Sequence, residues 1–342
     1  MLGFSTDIGV DLGTATVLIF QKGNGVILNE PSVVAIESDS GKALAVGEDA
    51  YNMIGRTPGN IVAIRPMKDG VIADFSVTEI MLKHFIQRAL KNKKFLKPRV
   101  MVCVPAGITS VEQRAVLEAA TRAGSKQTFL IEEPRAAALG ANLDIFEPSG
   151  SMVVDIGGGT TDVAVLSLGD IVTSESLRIG GDKFDDAIVQ YMKNELNLYI
   201  GERTAEMVKK EVGTAHPDLR ASEMEVRGRD QVSGLPKTVV ISSDQIYEAL
   251  KAPVQSIISC IRRVMETTPP ELSADIMDKG IVITGGGSLL HGFDRLLAEN
   301  VKTPVHLPED PIGSVAEGTG KGLEYLDLLE KSLISNKILT KK

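Results

Sequence analysis

The chain has 342 residues, with 43% hydrophobic and 24% charged side chains, a balance typical of globular proteins and a length sufficient for two sizeable domains. Its formal net charge of −8 leaves no excess of lysine and arginine to neutralise phosphates, which argues against nucleic acid as a partner. We find no run of about 18 apolar residues and no basic, apolar leader, so we predict neither a membrane span nor a signal peptide.

The first element that points to a chemistry is a hairpin at residues 8–20. An apolar strand ends in Asp11, the chain turns at Gly13 and Thr14, and a second apolar strand follows. Such a tip exposes backbone N–H groups that can hold phosphate oxygens, and the aspartate suits the water shell of a Mg²⁺ ion. An ordinary hairpin gives the same local pattern, so this element alone does not establish a phosphate site.

Helices and strands alternate in the next part of the chain. Capping boxes predict that helices open at residues 76–79 and 110–113. Between them, residues 100–105 form a continuous apolar run, which is typical of a strand buried on both faces. This run contains Cys103, and Cys260 also lies among apolar residues. Both are therefore predicted to be buried thiols in a reducing cytoplasm.

Two glutamates stand where a short strand at residues 129–131 meets a helix. Glu132 and Glu133 precede Pro134, which fits the first turn of that helix. By position alone, Glu133 is either a reactive carboxylate at a strand end or an acid that stabilises the helix dipole.

Residues 151–168 repeat the first pattern in a fuller form. An apolar strand ends in Asp155, three glycines and Thr160 make the turn, and a second strand leaves. Two copies of one unusual device at a domain-sized separation predict two related domains that face one ligand.

A third glycine turn follows a buried strand near the end of the chain. The strand begins at residue 280 and ends at Gly285, after a long helix predicted at residues 244–267. A small-residue helix is predicted at residues 314–321. The alternation of strands and helices throughout indicates an α/β protein. Three glycine-rich strand ends with two aspartates together predict a nucleoside triphosphate site.

With these motifs the chain resembles the superfamily of actin, the seventy-kilodalton heat-shock chaperones and the sugar kinases. It is more specifically similar to the bacterial actin homologues of the MreB/Mbl family. The similarity covers essentially the whole chain, and its clearest segments are residues 29–33, 64–74, 131–134, 201–206 and 268–272.

The resemblance implies an actin-like fold with two lobes, each with a ribonuclease-H-like core and a small accessory subdomain. The implied subdomains are IA at residues 1–32, 66–145 and 313–342, IB at 33–65, IIA at 146–181 and 246–312, and IIB at 182–245.

The family also implies that ATP and Mg²⁺ bind between the lobes and that ATP is hydrolysed. Asp11 and Asp155 would hold the metal through water. Glu133 would orient or deprotonate the attacking water with help from Thr160, and Glu132 is the competing candidate for that role. The implied nucleotide-binding residues are Gly13, Thr14, Ala15, Gly157, Gly158, Gly159, Thr160, Gly181, Glu206, Lys209, Gly285, Gly286, Gly287 and Ser288.

Two of these assignments have a plain alternative, and one residue near the first hairpin tip departs from the family. Glu206 and Lys209 would reach the ribose or base, but their spacing also fits a solvated helix face. Thr16 stands where the family usually has asparagine. We expect this change to alter the hydrolysis rate or the nucleotide affinity, but not to abolish nucleotide binding.

The resemblance further implies binding to the inner face of the cytoplasmic membrane. Phe95 and Leu96 are surrounded by lysine and arginine, which fits insertion beside anionic headgroups. A helix end with both residues in the core is the alternative. The basic tail at residues 331–342 could add an electrostatic contact or form a disordered terminus.

We therefore predict a membrane-associated, actin-like cytoskeletal ATPase that polymerises, as paired protofilaments, and governs bacterial cell shape. It would be cytoplasmic, with itself, the anionic membrane and cell-shape membrane proteins as partners. A small-molecule kinase of the same fold is the alternative, but no spare general base for an acceptor is found. A chaperone ATPase is disfavoured because the chain ends soon after the closing helix.

Overall fold

The computed structural model describes residues 7–91, 97–329 and 333–335. Its strands are β1 (Ile8–Leu12), β2 (Thr16–Gln21), β3 (Gly25–Pro31), β4 (Val34–Glu37), β5 (Ala43–Val46), β6 (Ile61–Ile64), β7 (Met67–Lys68), β8 (Val71–Ile72), β9 (Arg99–Val104), β10 (Gln127–Glu132), β11 (Ser151–Ile156), β12 (Thr161–Ser167), β13 (Asp170–Leu177), β14 (Leu198–Tyr199), β15 (Glu223–Asp230), β16 (Pro236–Ser242), β17 (Ile281–Thr284), β18 (Val305–His306) and β19 (Ile334–Ser335). Its helices are α1 (Glu48–Tyr51), α2 (Phe75–Ala89), α3 (Ser110–Arg122), α4 (Glu133–Gly140), α5 (Gly181–Leu196), α6 (Glu202–Val212), α7 (Ser243–Thr267), α8 (Pro270–Lys279), α9 (Phe293–Val301), α10 (Ser314–Gly322) and α11 (Leu326–Leu329), with a 3₁₀ turn at Gly286–Leu289.

The first lobe is built on a six-stranded sheet of order β19-β10-β9-β1-β2-β3, with the small β5-β4-β6 sheet beside it. The central strand β1 is parallel to β9 and antiparallel to β2, so that Asp11 stands opposite Leu18. The hydrophobic core of this lobe joins the sheet to α2 and α3.

The second lobe is built on a five-stranded sheet of order β13-β12-β11-β17-β18, with the β14-β15-β16 sheet as its smaller companion. Strands β11 and β12 form the second predicted hairpin and place Asp155 opposite Asp162. One continuous core joins this sheet to α5, α6 and α7. Two sheet-bearing lobes of mixed α/β structure confirm the predicted fold class.

Helices α4 and α10 lie between the lobes, in a core that side chains of both large sheets share. The two helices cross so closely that only glycine fits at their contact. A Cβ atom at Gly140 would lie 1.8 Å from the carbonyl oxygen of Ser314, and one at Gly318 would lie 1.7 Å from that of Ala136. The predicted helix at residues 314–321 is therefore the helix that joins the lobes.

Both predicted capping boxes were misplaced by one or two residues. Helix α2 begins after Asp74, whose carboxylate accepts a hydrogen bond from the Val77 amide at 3.0 Å. Helix α3 begins after Thr109, which exchanges capping hydrogen bonds with Glu112. In each case an oxygen-bearing side chain just upstream reaches the free N–H groups first.

None of the helices in the described ranges is long and apolar enough to cross a membrane.

Candidate functional site

A cavity of about 750 Å³ lies between the two lobes, within the size range of small-molecule sites. The tips of both predicted phosphate hairpins face it, together with the third glycine turn and one side of α5 and α6. The residues of the first hairpin that line it are Asp11, Leu12, Gly13, Thr14, Ala15, Thr16 and Leu18.

The two hairpin tips approach each other so closely that side chains fit on one of them only. A Cβ atom at Gly158 would lie 2.5 Å from the Cβ of Ala15, and one at Gly159 would lie 2.5 Å from the Oγ1 of Thr14. Thr14 Oγ1 in turn accepts a hydrogen bond from the Gly70 amide at 3.0 Å. The glycines thus leave backbone N–H groups open towards the cavity.

Asp11 and Asp155 both line the cavity, one from each lobe. Asp11 Oδ1 accepts a hydrogen bond from the Cys103 thiol at 3.1 Å, whereas Asp155 Oδ1 is buried with no hydrogen-bond partner among the residues that the structure describes. Burial raises the pKa of Asp11 to about 6, although the thiol opposes this. Burial, and then the charges of Asp11 and Asp162, raise the pKa of Asp155 well above its usual range.

These two carboxylates fit a divalent cation. A buried carboxylate oxygen without a partner is costly, and a cation with its water shell would satisfy and neutralise it. In the described part of the chain, no group of three or more histidine, cysteine or acidic residues could chelate a metal directly.

Glu133 is the first residue of α4, and its buried carboxylate lies in the cavity wall. Burial, and then the nearby carboxylates of Asp162, Asp155 and Asp11, raise its pKa well above the usual range. Glu132 does not line the cavity, and one of its oxygens lies 3.4 Å from Arg135 Nε instead. Of the two glutamates, the structure thus places only Glu133 within reach of a ligand.

Thr160 closes the second hairpin and lines the cavity with its glycines. Beside it, Asp162 is fully buried and accepts a hydrogen bond from the Ala106 amide of the first lobe at 2.8 Å. Burial raises the pKa of Asp162 to about 6, while the Ala106 amide opposes this. Glu133 therefore stands in a cluster of buried carboxylates near the two hairpin tips.

Helix α5 begins directly against the second hairpin. The amide of Gly181 donates to the Gly157 carbonyl at 2.9 Å, and that of Asp182 donates to the Gly158 carbonyl at 2.8 Å. The Lys209 ammonium of α6 donates to Gly181 O at 3.0 Å and to Asp185 Oδ2 at 2.9 Å. Gly181 and Lys209 thus lie together in the cavity wall.

Helix α6 is not the fully solvated helix that its polar sequence also allowed. Ala205, Val208 and Val212 are buried against the second lobe, and Glu206 and Lys209 line the cavity. These two side chains are spaced one turn apart, so both face the ligand space.

The third glycine turn packs against the second hairpin. Gly285 has a φ of +80°, and a Cβ atom there would lie 2.4 Å from the Ile156 carbonyl oxygen. Gly285, Gly286 and Gly287 line the cavity, but Ser288 does not. Its hydroxyl donates to Gly285 O at 2.7 Å, so it holds the turn instead of facing the ligand space.

The sequence prediction missed several residues in or near the cleft. Asp162 does not line the cavity but is one of the buried carboxylates around Glu133, and it could have been found because it belongs to the same hairpin motif as Asp155. Tyr51, Arg65 and Asp185 line the cavity, but nothing in their local sequence signals it, since each is brought there by the tertiary fold.

The predicted membrane residues Phe95 and Leu96 lie outside the described residues, as does most of the basic tail.

Comparisons with known proteins agree on one family. The family model for MreB/Mbl protein matches residues 5–331. The cell shape-determining protein Mbl of Bacillus subtilis (strain 168) is 59% identical, over 97% of this chain and 100% of its own length. The cell shape-determining protein MreB of Escherichia coli (strain K12) is 54% identical, over 97% of each chain.

Solved structures show the same relationship. MreB5 of Spiroplasma citri bound to ADP superposes with a TM-score of 0.89 at 39% identity, over 95% of this chain and 98% of that one. Its AMPPNP-bound form gives a TM-score of 0.88. A MamK double helical filament, at 22% identity and a TM-score of 0.79, shares the fold. The chain has the actin-like fold and belongs to the MreB/Mbl protein family.

Proposed function

We propose that the chain binds ATP with Mg²⁺ in the cleft, hydrolyses it slowly, and polymerises into filaments that govern bacterial cell shape. The observation that carries this proposal is the meeting of two glycine hairpins, each with one buried aspartate, across a single cavity. The ADP and AMPPNP complexes of a relative with the same fold support the choice of nucleotide.

In this proposal the hairpin backbones hold the β- and γ-phosphates. The Mg²⁺ ion, held through water by Asp11 and Asp155, would neutralise charge on those phosphates. Glu133 stands at the entry of α4 with its carboxylate in the cavity wall, where it accepts a hydrogen bond from the attacking water and orients it. Thr160, on the facing hairpin, offers a hydroxyl to the same water.

The other end of the ligand would lie between α6 and the third glycine turn. Glu206 and Lys209 hold the ribose in this arrangement, and the bare backbone of Gly285–Gly287 lies against the adenine.

The raised pKa of Glu133 follows from burial among carboxylates. A bound Mg²⁺ ion would add positive charge beside that cluster and would favour the ionised Glu133 that a water-orienting role requires.

Filament formation is supported by the shared fold with filament-forming relatives and by the shape of a two-lobed chain. Head-to-tail stacking of such a chain is a heterologous contact, which gives open filaments unless a ring closes. We infer ATP-linked polymerisation, as paired protofilaments, on the inner face of the cell membrane.

Membrane attachment rests on the sequence around Phe95 and Leu96. An apolar pair among cations would insert beside anionic headgroups. Co-sedimentation with anionic vesicles tests this. The double variant Phe95→Ser/Leu96→Ser should stay in the supernatant, and binding equal to wild type would overturn the assignment.

The central test combines ATP turnover with negative-stain electron microscopy. Wild-type protein with Mg-ATP should form filaments and release phosphate, and Glu133→Gln should lower turnover about 100-fold or more while still binding nucleotide. Glu132→Gln is the matched control and should keep turnover near wild type. A chain that remains monomeric with ATP and phosphorylates a metabolite would contradict the proposal.

A further inference from the structure

Helix α6 makes a second set of contacts, across the mouth of the cleft to the first lobe. Arg65, which follows β6, donates from Nε to Glu202 Oε1 at 2.8 Å. Arg203 donates from Nη2 to Asn52 Oδ1 at 3.1 Å. Both contacts join residues more than a hundred positions apart in sequence, so they bridge the lobes and not neighbouring segments.

The third contact involves Glu206, which the sequence predicted to bind the nucleotide. The Tyr51 hydroxyl donates a hydrogen bond to Glu206 Oε2, while Glu206 Oε1 accepts one from Lys210 at 2.6 Å. The Arg203 guanidinium lies over the Tyr51 ring, 4.8 Å from its centre. Tyr51 thus makes two contacts with α6. Its ring lies under Arg203, and its hydroxyl holds one carboxylate oxygen of Glu206.

The charges around Tyr51 favour a protonated hydroxyl that donates a hydrogen bond to Glu206. Burial, together with the hydrogen bond to Glu206 and its charge, raises the pKa of Tyr51 to about 12. The lowered pKa of Glu206, for which hydrogen bonds from Lys210 and Tyr51 outweigh burial, keeps its carboxylate ionised. A charged acceptor makes this hydrogen bond stronger than one between neutral groups.

The cleft latch is the set formed by Tyr51, Asn52 and Arg65 of the first lobe with Glu202, Arg203 and Glu206 of α6. Tyr51, Arg65 and Glu206 all line the ligand cavity, so the latch stands at its edge. The side chains of Arg65 and Glu206 are only 21% and 27% exposed, which reduces solvent screening of their contacts. A ligand held by Glu206 would therefore be held by both lobes.

We propose that Tyr51 is a positioning residue that fixes Glu206 for the ribose, and that the cleft latch must open before nucleotide is released. This inference rests on the proposed nucleotide binding. It gives Tyr51 and Arg65, neither of which the sequence predicted to bind nucleotide, a direct effect on the rate of nucleotide exchange.

The test starts from Tyr51→Phe, which keeps the ring under Arg203 and removes only the hydroxyl. Release of radiolabelled ADP into excess unlabelled ATP should become about tenfold faster, as expected for the loss of one hydrogen bond to a charged group. The KM for ATP should rise, while the single-turnover hydrolysis rate of bound ATP stays near wild type. Tyr247→Phe, on α7 and away from the cleft, is the matched control and should release ADP at the wild-type rate.

A charge exchange tests the second contact independently. Arg65→Glu and Glu202→Arg should each speed ADP release, and the double variant Arg65→Glu/Glu202→Arg should restore it towards the wild-type rate. Rescue in the double variant would show that the two side chains act on ADP release as a pair. The thermal midpoint of nucleotide-free Tyr51→Phe should stay within about 2 °C of wild type, which guards against misfolding as the cause.

The outcomes separate the inference from the function on which it rests. If wild-type protein binds ADP but Tyr51→Phe and both single charge variants release it at the wild-type rate, the cleft latch is overturned and nucleotide binding stands. If wild-type protein binds neither ADP nor ATP, both proposals fail.

Discussion

The two hairpins that face the cleft share a pattern but differ in what fills their tips. The first carries the side chains of Thr14 and Ala15, and the second carries only glycine at the facing positions. A Cβ atom at Gly158 would lie 2.5 Å from the Ala15 Cβ. The difference shows that the glycines serve the approach of the two lobes as much as the approach of a ligand.

The aspartates of the two hairpins differ as well. Asp11 has the Cys103 thiol as a hydrogen-bond donor, whereas Asp155 Oδ1 has no partner in the described part of the protein. The second hairpin thus combines an open glycine backbone with a carboxylate oxygen that lacks a hydrogen-bond partner. We therefore expect a bound ligand to stabilise the second hairpin more than the first.

The largest effect is expected from the aspartates. Asp155→Asn and Asp11→Asn should each lower ATP turnover about 100-fold or more, because each removes a charge that would hold the proposed Mg²⁺ ion. Asp155→Asn should have the larger effect, since its free oxygen has no other role. Steady-state phosphate release measures this, with the exposed Asp39→Asn as control. A larger loss in Asp11→Asn would contradict the expectation that the second hairpin depends more on the metal than the first.

The next effect concerns the facing tips. Gly158→Ala places a methyl group against Ala15, and overpacking of this kind costs about 1–3 kcal/mol. We expect nucleotide affinity, measured by calorimetric titration, to fall about tenfold.

The double variant Gly158→Ala/Ala15→Gly should recover much of that loss, because it moves the side chain from one tip to the other. Gly59→Ala is the control, since no atom lies within 4 Å of its added Cβ. A double variant as weak as Gly158→Ala would show that the glycine serves the ligand alone.

A stability effect is expected from Asp162, which stands opposite Asp155 in the second hairpin. Burial raises its pKa from 3.8 to about 6, so the folded state favours the protonated form. This stabilises the fold below about pH 4 and is lost as the pH rises through about 6. Relative to wild type, nucleotide-free Asp162→Asn should therefore gain up to roughly 3 kcal/mol in unfolding free energy at neutral pH.

Urea unfolding at pH 4.5 and pH 7.5 measures the Asp162 effect. The Ala106 amide keeps an oxygen acceptor in Asp162→Asn, so its hydrogen bond need not be lost. If the variant is less stable than wild type at pH 7.5, burial is not what sets the behaviour of this carboxylate.

The smallest effect is expected from the one departure in the first hairpin. Thr16 lines the cavity at the start of β2, and it is the position at which the family resemblance implies asparagine. One neutral hydrogen bond is worth about 1 kcal/mol, so Thr16→Asn should change nucleotide affinity or turnover by no more than about fivefold. A change of 100-fold would mean that this position contacts the reacting phosphate.

The sequence predicted what is local in this site. The sequence pattern was enough to predict Asp11, Asp155 and the glycine turns, because strand, acid and turn are neighbours in the chain. The capping residues Asp74 and Thr109 were missed, since several oxygen-bearing side chains compete for the same free N–H groups. Only the fold itself brings α6 against Tyr51 and Arg65, so no local pattern could have revealed the cleft latch.

Titration of ADP into wild-type protein, with Mg²⁺ and with EDTA, measures whether the two hairpins clamp one Mg-nucleotide. We expect one nucleotide per chain, with an affinity at least about tenfold weaker in EDTA. Absence of saturable binding, or an affinity that is the same with and without Mg²⁺, would contradict it.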